Sequence, residues 1–322
     1  MIHLRLVVPE DLAEAVNSLL CESPAVSSVI HLPGAAAKPL GDVLLADVAR
    51  EDASVIIGDL KELRLHELGT IAVEEVDSAL STAATEAEKA AAGLPSDAVV
   101  WEEVESRTSE QTELGASFLA FMAIATMIAA IGVLLDSQIL IIGAMVVGPE
   151  FGPIAGFCVA VVQKRRDLAR RSITALAIGF PLAITSAFLL TLILRATGSA
   201  PDELTNRPLT DFISHPDEFS VIVALLAGVA GVVSLTAAKS GALIGVLISV
   251  TTIPAAGNIG VAAAYGDGHE WVGAMEQLSL NLVAILLAGI ATLYFQRRLY
   301  VRRRREHLRE PSRRLAGLPT RR

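Results

Sequence analysis

Polar and apolar residues alternate with period two along Ile2–Val8 (IHLRLVV), which predicts a strand. Pro9-Glu10-Asp11 then opens a helix with acids in its first turn, where the helix dipole favours them. Leu12, Val16, Leu19 and Leu20 give that helix one apolar stripe. A second strand is expected at Val26–Leu32, a loop between Pro33-Gly34 and Gly41, and a third strand at Asp42–Ala49. Ala53–Leu65 reads as a second amphipathic helix, and Gly69 releases a fourth strand at Thr70–Val76. The order β-α-β-β-α-β predicts a ferredoxin-like α+β domain over residues 1–77. Residues 78–113 read as an acidic helical linker, hinged at Gly93-Leu94-Pro95 and restarting as a helix at Trp101.

The periodicity disappears at residue 114. Leu114–Leu135 runs 22 residues without a charge, about 33 Å of helix and enough for a bilayer core. Five further spans are expected: Gln138–Gln163, Leu168–Leu194, Phe219–Ala238, Gly241–Tyr265 and Trp271–Phe295. Trp271 and Tyr294 stand where interfacial aromatics belong. The predicted architecture is therefore an α-helical membrane domain over 114–296 and an arginine-rich tail over 297–322.

Charge sharpens this division. Residues 1–113 carry a net −15 and residues 114–322 a net +6, so the overall −9 describes neither part. Lys164, Arg165, Arg166, Arg170 and Arg171 crowd the second connection, and eleven arginines follow the sixth span. By the positive-inside rule both regions, and hence both termini, face the cytoplasm. Beside a membrane the tail is expected to contact anionic lipid rather than nucleic acid. The N-terminus lacks a secretory pattern, and Cys21 and Cys158 imply no disulfide framework.

Two spans are interrupted at their centres, by Gly148-Pro149-Glu150-Phe151-Gly152-Pro153 and by Thr251-Thr252-Ile253-Pro254-Ala255-Ala256-Gly257-Asn258. A shift of 105 positions lays Pro149 on Pro254, Gly152 on Gly257 and Ile154 on Ile259. With three spans per repeat, the second copy must be inverted. Proline and glycine free backbone groups that lipid cannot satisfy. Paired breaks in inverted halves point to a transporter site, although either break alone also reads as a packing kink. Glu150 either faces a cavity as a proton or cation ligand or caps the half-helix that starts near Phe151. The second half-helix is expected to start near Ile259. Ser249, Thr251, Thr252 and Asn258 surround the second break as oxygen ligands, and Asn281 on the last span joins them. Lys239 reads as an orientation anchor, and His3, His31 and His66 as surface or rim histidines. No metal cluster, cofactor motif or catalytic set is expected, because no span offers a histidine or a Ser/His/Asp set.

WEEVE before the first span, GVLLDSQILIIGAMVVGPEFGPIAG, FISHPDEFSVIVALLAGVAGVVSLTAAKSGALIGVLISVTTIPAAGNIGVA and LNLVAILLAGIATLYFQRRL resemble the bacterial membrane family catalogued as domain of unknown function 389. The resemblance covers Trp101–Leu299 and implies a multi-pass protein of the bacterial inner membrane, without supplying a substrate. The leading expectation is a secondary transporter or channel for a small solute or ion. Its N-terminal domain would bind a small-molecule regulator or drive homo-oligomerisation. The alternative is a membrane-embedded sensor or scaffold that moves nothing. An enzyme is not expected.

Overall fold

The computed structural model describes residues 1–76, 80–91, 98–204, 207–237, 251–308 and 311–319. Ser249, Lys239 and the predicted start of the fifth span at Gly241 lie outside the described residues. The chain divides into two compact units. One is built chiefly from Met1–Val104 and Gln296–Arg322, the other from Glu105–Leu235 and Lys239–Phe295.

The first unit contains β1 (Ile2–Val8), α1 (Glu10–Cys21), β2 (Val26–Ala37), β3 (Leu40–Val48), α2 (Arg50–Glu62), the single turn α3 (Leu65–Leu68) and β4 (Thr70–Glu75). The sheet order is β2-β3-β1-β4, with every neighbouring pair antiparallel. That is the order a split βαβ arrangement requires. Alternation decides the buried face: Ile2, Leu4, Leu6 and Val8 are fully covered. They pack with Leu44 and Val48 of β3 against Val16, Leu19 and Leu20 of α1 and Ile56, Ile57 and Leu60 of α2.

Two local expectations change. The β2–β3 hairpin extends through Pro33-Gly34 instead of ending there. Its pairing shifts register between Leu32 and Ala36, and the Gly34 amide donates to Asp42 Oδ1 at 2.8 Å. That carboxylate supplies the acceptor the irregular backbone lacks. The second helix begins at Arg50, with Glu51 and Asp52 in its first turn.

After β4 the chain forms α4 (Thr82–Ala90), whose first turn is capped by the Ser81 hydroxyl, and then α5 (Trp101–Gln111). Ala91 and Val100 complete the same core, as do Ala316 and Leu318 from the far end of the chain. The described part of the arginine-rich tail thus belongs to this unit. Arg303 pairs with Asp52 at 2.9 Å, Arg304 with Glu62 at 2.8 Å, and Arg304, His307 and Arg313 converge on Asp59. Asp59 and Arg313 are fully buried.

The second unit is helical: α6 (Ala116–Leu134), α7 (Gln138–Val147), α8 (Phe151–Gln163), α9 (Arg166–Ala196), α10 (Glu218–Thr236), α11 (Thr252–Tyr265) and α12 (Gly268–His307). Residues of α12 from Gln296 onward, and the short α13 (Pro311–Leu315), belong to the first unit. Among the described residues four helices are long and apolar enough to cross a membrane: α6, α9, α10 and α12. Counting α7 and α8 as one span, bent by 50°, makes five. The chain is a mostly helical membrane protein with a small antiparallel-sheet domain at its N-terminus.

Small residues bring these helices together. Ala125, Ala129 and Ala130 of α6 meet Ala183 and Ala187 of α9 and Ala255 and Ala256 of α11 in one core. Close backbone approach of this kind replaces the hydrophobic drive that lipid does not supply. Large apolar residues such as Ile139, Phe219 and Leu226 point outward instead.

Candidate functional site

The first break is built by Gly148, Pro149 and Glu150 between α7 and α8. A Cβ on Gly148 would meet Glu150 Oε2 at 2.4 Å and Ile253 Cγ1 at 2.6 Å, so only glycine fits. Glu150 occupies the cap position of α8, but its side chain makes no capping bond. It reaches to the start of α11 (Thr252–Tyr265). Thr252 Oγ1 donates to Glu150 Oε1 at 2.7 Å, across 102 positions of sequence.

The second half-helix starts at Thr252, seven residues earlier than the expected Ile259. Pro254 is its third helical residue, where no amide donor is needed within the helix. Gly257 and Asn258 therefore lie inside α11 instead of interrupting it. Pro153 holds the same third position in α8. The two half-helices consequently match at a shift of 101, which pairs Pro153 with Pro254 and Gly156 with Gly257. The 105-residue alignment of Pro149 with Pro254 and Gly152 with Gly257 does not describe these helix starts. Gly156 and Gly257 are both points of close approach. A Cβ would stand 2.4 Å from Thr112 Cγ2 at the first and 2.8 Å from Ala129 Cβ at the second.

Glu150 is 4% exposed and Thr252 fully buried. Oε2 of Glu150 has no hydrogen-bond partner among the described residues. Beside Thr252, Thr251 Oγ1 accepts from Asn281 Nδ2 at 2.6 Å and from Gln277 Nε2 at 3.2 Å. Gln277 also donates to Asn281 Oδ1 at 3.4 Å, and its own Oε1 is buried without a donor. Gln277 was not among the residues expected from sequence. Its signal was legible: Gln277 and Asn281 are four apart, on one face of a largely apolar span.

Of the sequence-predicted set, Glu150, Thr251, Thr252 and Asn281 come together at the start of α11. Pro149 and Gly152 flank them, with Gly152 packed against Gln111. Asn258 goes elsewhere. Its side chain accepts from Arg207 Nη1 at 3.2 Å and donates to Glu270 Oε2 at 3.3 Å, and Arg207 pairs with Glu270 at 2.9 Å. Ligand atoms of Asp211, His215 and Glu270 lie within 4.8 Å of one another, the spacing of a metal site. Arg207 already neutralises Glu270, however, and Asp211 and His215 are exposed, so this group reads as a solvated polar rim.

Residues 145–287, which contain both breaks, match the model of the family described as "Domain of unknown function (DUF389)". The uncharacterised protein MJ0678 of Methanocaldococcus jannaschii is 26% identical over 192 residues, 60% of this chain. The match spans 58% of that relative's length. No solved structure matches. The segment from the end of α7 into α12 is therefore where this chain is similar to the DUF389 family, and it includes both Glu150 and Thr252.

Proposed function

We propose that the chain is a secondary transporter or channel whose site lies between the starts of α8 and α11. The observation that carries this reading is the Thr252–Glu150 hydrogen bond, which joins the starts of α8 and α11 in the interior of an apolar unit. A carboxylate with one oxygen unpartnered is costly in such a place. It is retained where something binds. The matching proline and glycine positions in α8 and α11 support two related halves, and an inverted pair of three-span repeats accounts for both half-helices starting at one site. In this arrangement six spans cross a bacterial inner membrane, with both termini in the cytoplasm, as the basic second connection and tail require. The N-terminal domain regulates or oligomerises the membrane part. Among the described residues the site holds one acid and no nucleophile–base pair, which favours binding and movement over catalysis.

Glu150→Gln keeps the shape and removes the charge. Flux of a transported ion or solute into liposomes containing the purified variant should fall at least tenfold. Wild-type flux through a folded Glu150→Gln protein would remove Glu150 from the pathway.

A further inference from the structure

Two cavities flank the Glu150–Thr252 contact. The larger, about 500 Å³, is lined by Glu110, Glu113, Ser117, Phe118, Pro149 and Gly152. The smaller, about 220 Å³, is lined by Asp217, Phe219, Ser220, Thr251, Gln277 and Asn281. They belong to opposite ends of the helical unit. Glu110–Ser117 lead into the first turn of α6, whereas Asp217–Ser220 open α10. Asp136, just beyond the last turn of α6, accepts from the Thr210 hydroxyl at 2.9 Å and from the Leu209 amide at 3.2 Å. Gln138 donates back to the Leu209 carbonyl at 3.1 Å. The segment that leads into α10 is thereby tied to the far end of α6. Gly148 and Pro149 border the larger cavity and Thr251 the smaller, and the Glu150–Thr252 bond joins the residues beside them.

The chemistry of the linings is one-sided. The larger carries Glu110 and Glu113 and the smaller Asp217, and neither carries a lysine, arginine or histidine among the described residues. Among the described residues, the buried polar atoms left without partners at this site are both acceptors, Glu150 Oε2 and Gln277 Oε1. Buried acceptors are normally satisfied, and what these two lack is a donor or a positive charge. An anion would meet Glu150 unopposed. A divalent ion would leave a net positive charge buried against a single carboxylate, whereas one unit of positive charge balances it.

We propose that this site takes a small monovalent cation. The ion is held in turn by the Gln277, Asn281 and Thr251 oxygens and by the Glu150 carboxylate, and is delivered through the two acidic cavities. The Thr252–Glu150 hydrogen bond is the barrier between them, because the ion must displace Thr252 or bind beside it to pass. This rests on the transport reading, and supplies its substrate class.

The test uses the full chain in liposomes adsorbed to a solid-supported membrane, with imposed gradients of Na⁺, K⁺ or H⁺. At least one of these should drive a saturable current of the sign that inward cation movement gives. Gln277→Leu should reduce it at least tenfold, and Gln277→Glu, which keeps an acceptor oxygen and adds a negative charge, should change the cation concentration at half-maximal current. The Glu variant keeps the proposal falsifiable if Gln277→Leu does not fold, since an unchanged half-maximal concentration in folded Gln277→Glu contradicts it. A cation current unaffected by Gln277→Leu also overturns the assignment. A chloride current, or swelling driven by a neutral solute, that is sensitive to Glu150→Gln overturns the cation class and leaves the transport reading standing. No flux of any kind in any arm overturns both.

Discussion

Glu51 and Asp42 sit in the same small domain and are pushed in opposite directions by it. The Gly34 amide and then the His31 imidazole hold the Asp42 carboxyl below its ordinary 3.8. Glu51, at the start of α2, is 6% exposed, neither of its carboxylate oxygens has a hydrogen-bond partner among the described residues, and burial pushes its carboxyl above the ordinary 4.5. A folded state that holds the proton more tightly than the unfolded chain is favoured below 4.5 and loses that stability as pH rises through the raised value. Glu51→Gln should therefore match the wild-type unfolding temperature near pH 4 and exceed it at pH 8, read from the fluorescence of buried Trp101 in detergent. The same difference at both pH values would show that charge is not the cause. In the sequence both acids count only as surface charge. Their contrast arises from neighbours at the sheet edge and under α2 that no local pattern announces.

The half-helices show the same division at the scale of the element. Proline spacing marked both positions, but where each helix starts depends on which residue can be a helix start. Pro153 and Pro254 sit where a missing amide costs little, so the helices begin two residues before them. The glycines three positions further on are contact points, not hinges. Gly257→Val should lower the detergent melting temperature, because Ala129 Cβ and the Thr126 carbonyl leave no room for a side chain; overpacking of this kind costs about 1–3 kcal/mol. Gly143, with nothing within 4 Å of its would-be Cβ, is the control. Gly143→Ala should be neutral or raise stability by up to about 1 kcal/mol through helix propensity. Equal losses at both positions would make the contact argument untenable.

Across the whole molecule, the two ends of the chain build one unit. The basic tail and the acidic domain were both evident as charge runs, yet nothing local says that Arg304, His307 and Arg313 close on Asp59. Removing one partner of a buried ion pair leaves the other uncompensated and costs about 3–5 kcal/mol. Asp59→Ala should therefore release the tail. Brief trypsin treatment of the full-length variant should cut between Arg302 and Arg314 many times faster than in the wild type. Equal cleavage rates would mean the tail is not held by this cluster.

The sequence by itself determined the elements that follow from periodicity and length: alternating strands, amphipathic helices, charge-free spans and two proline breaks. Each of these depends on residues close together in the chain. It also marked Glu150, because a lone carboxylate in an apolar span has few places to go. Tertiary structure decided the pairings. Thr252 rather than a helix end receives the Glu150 carboxylate, Gln277 joins Thr251 and Asn281, Asn258 turns away to Arg207 and Glu270, and the tail returns to Asp59. These partners lie up to 254 residues apart. Only the packed fold sets which polar groups lose water together, and so which must find one another.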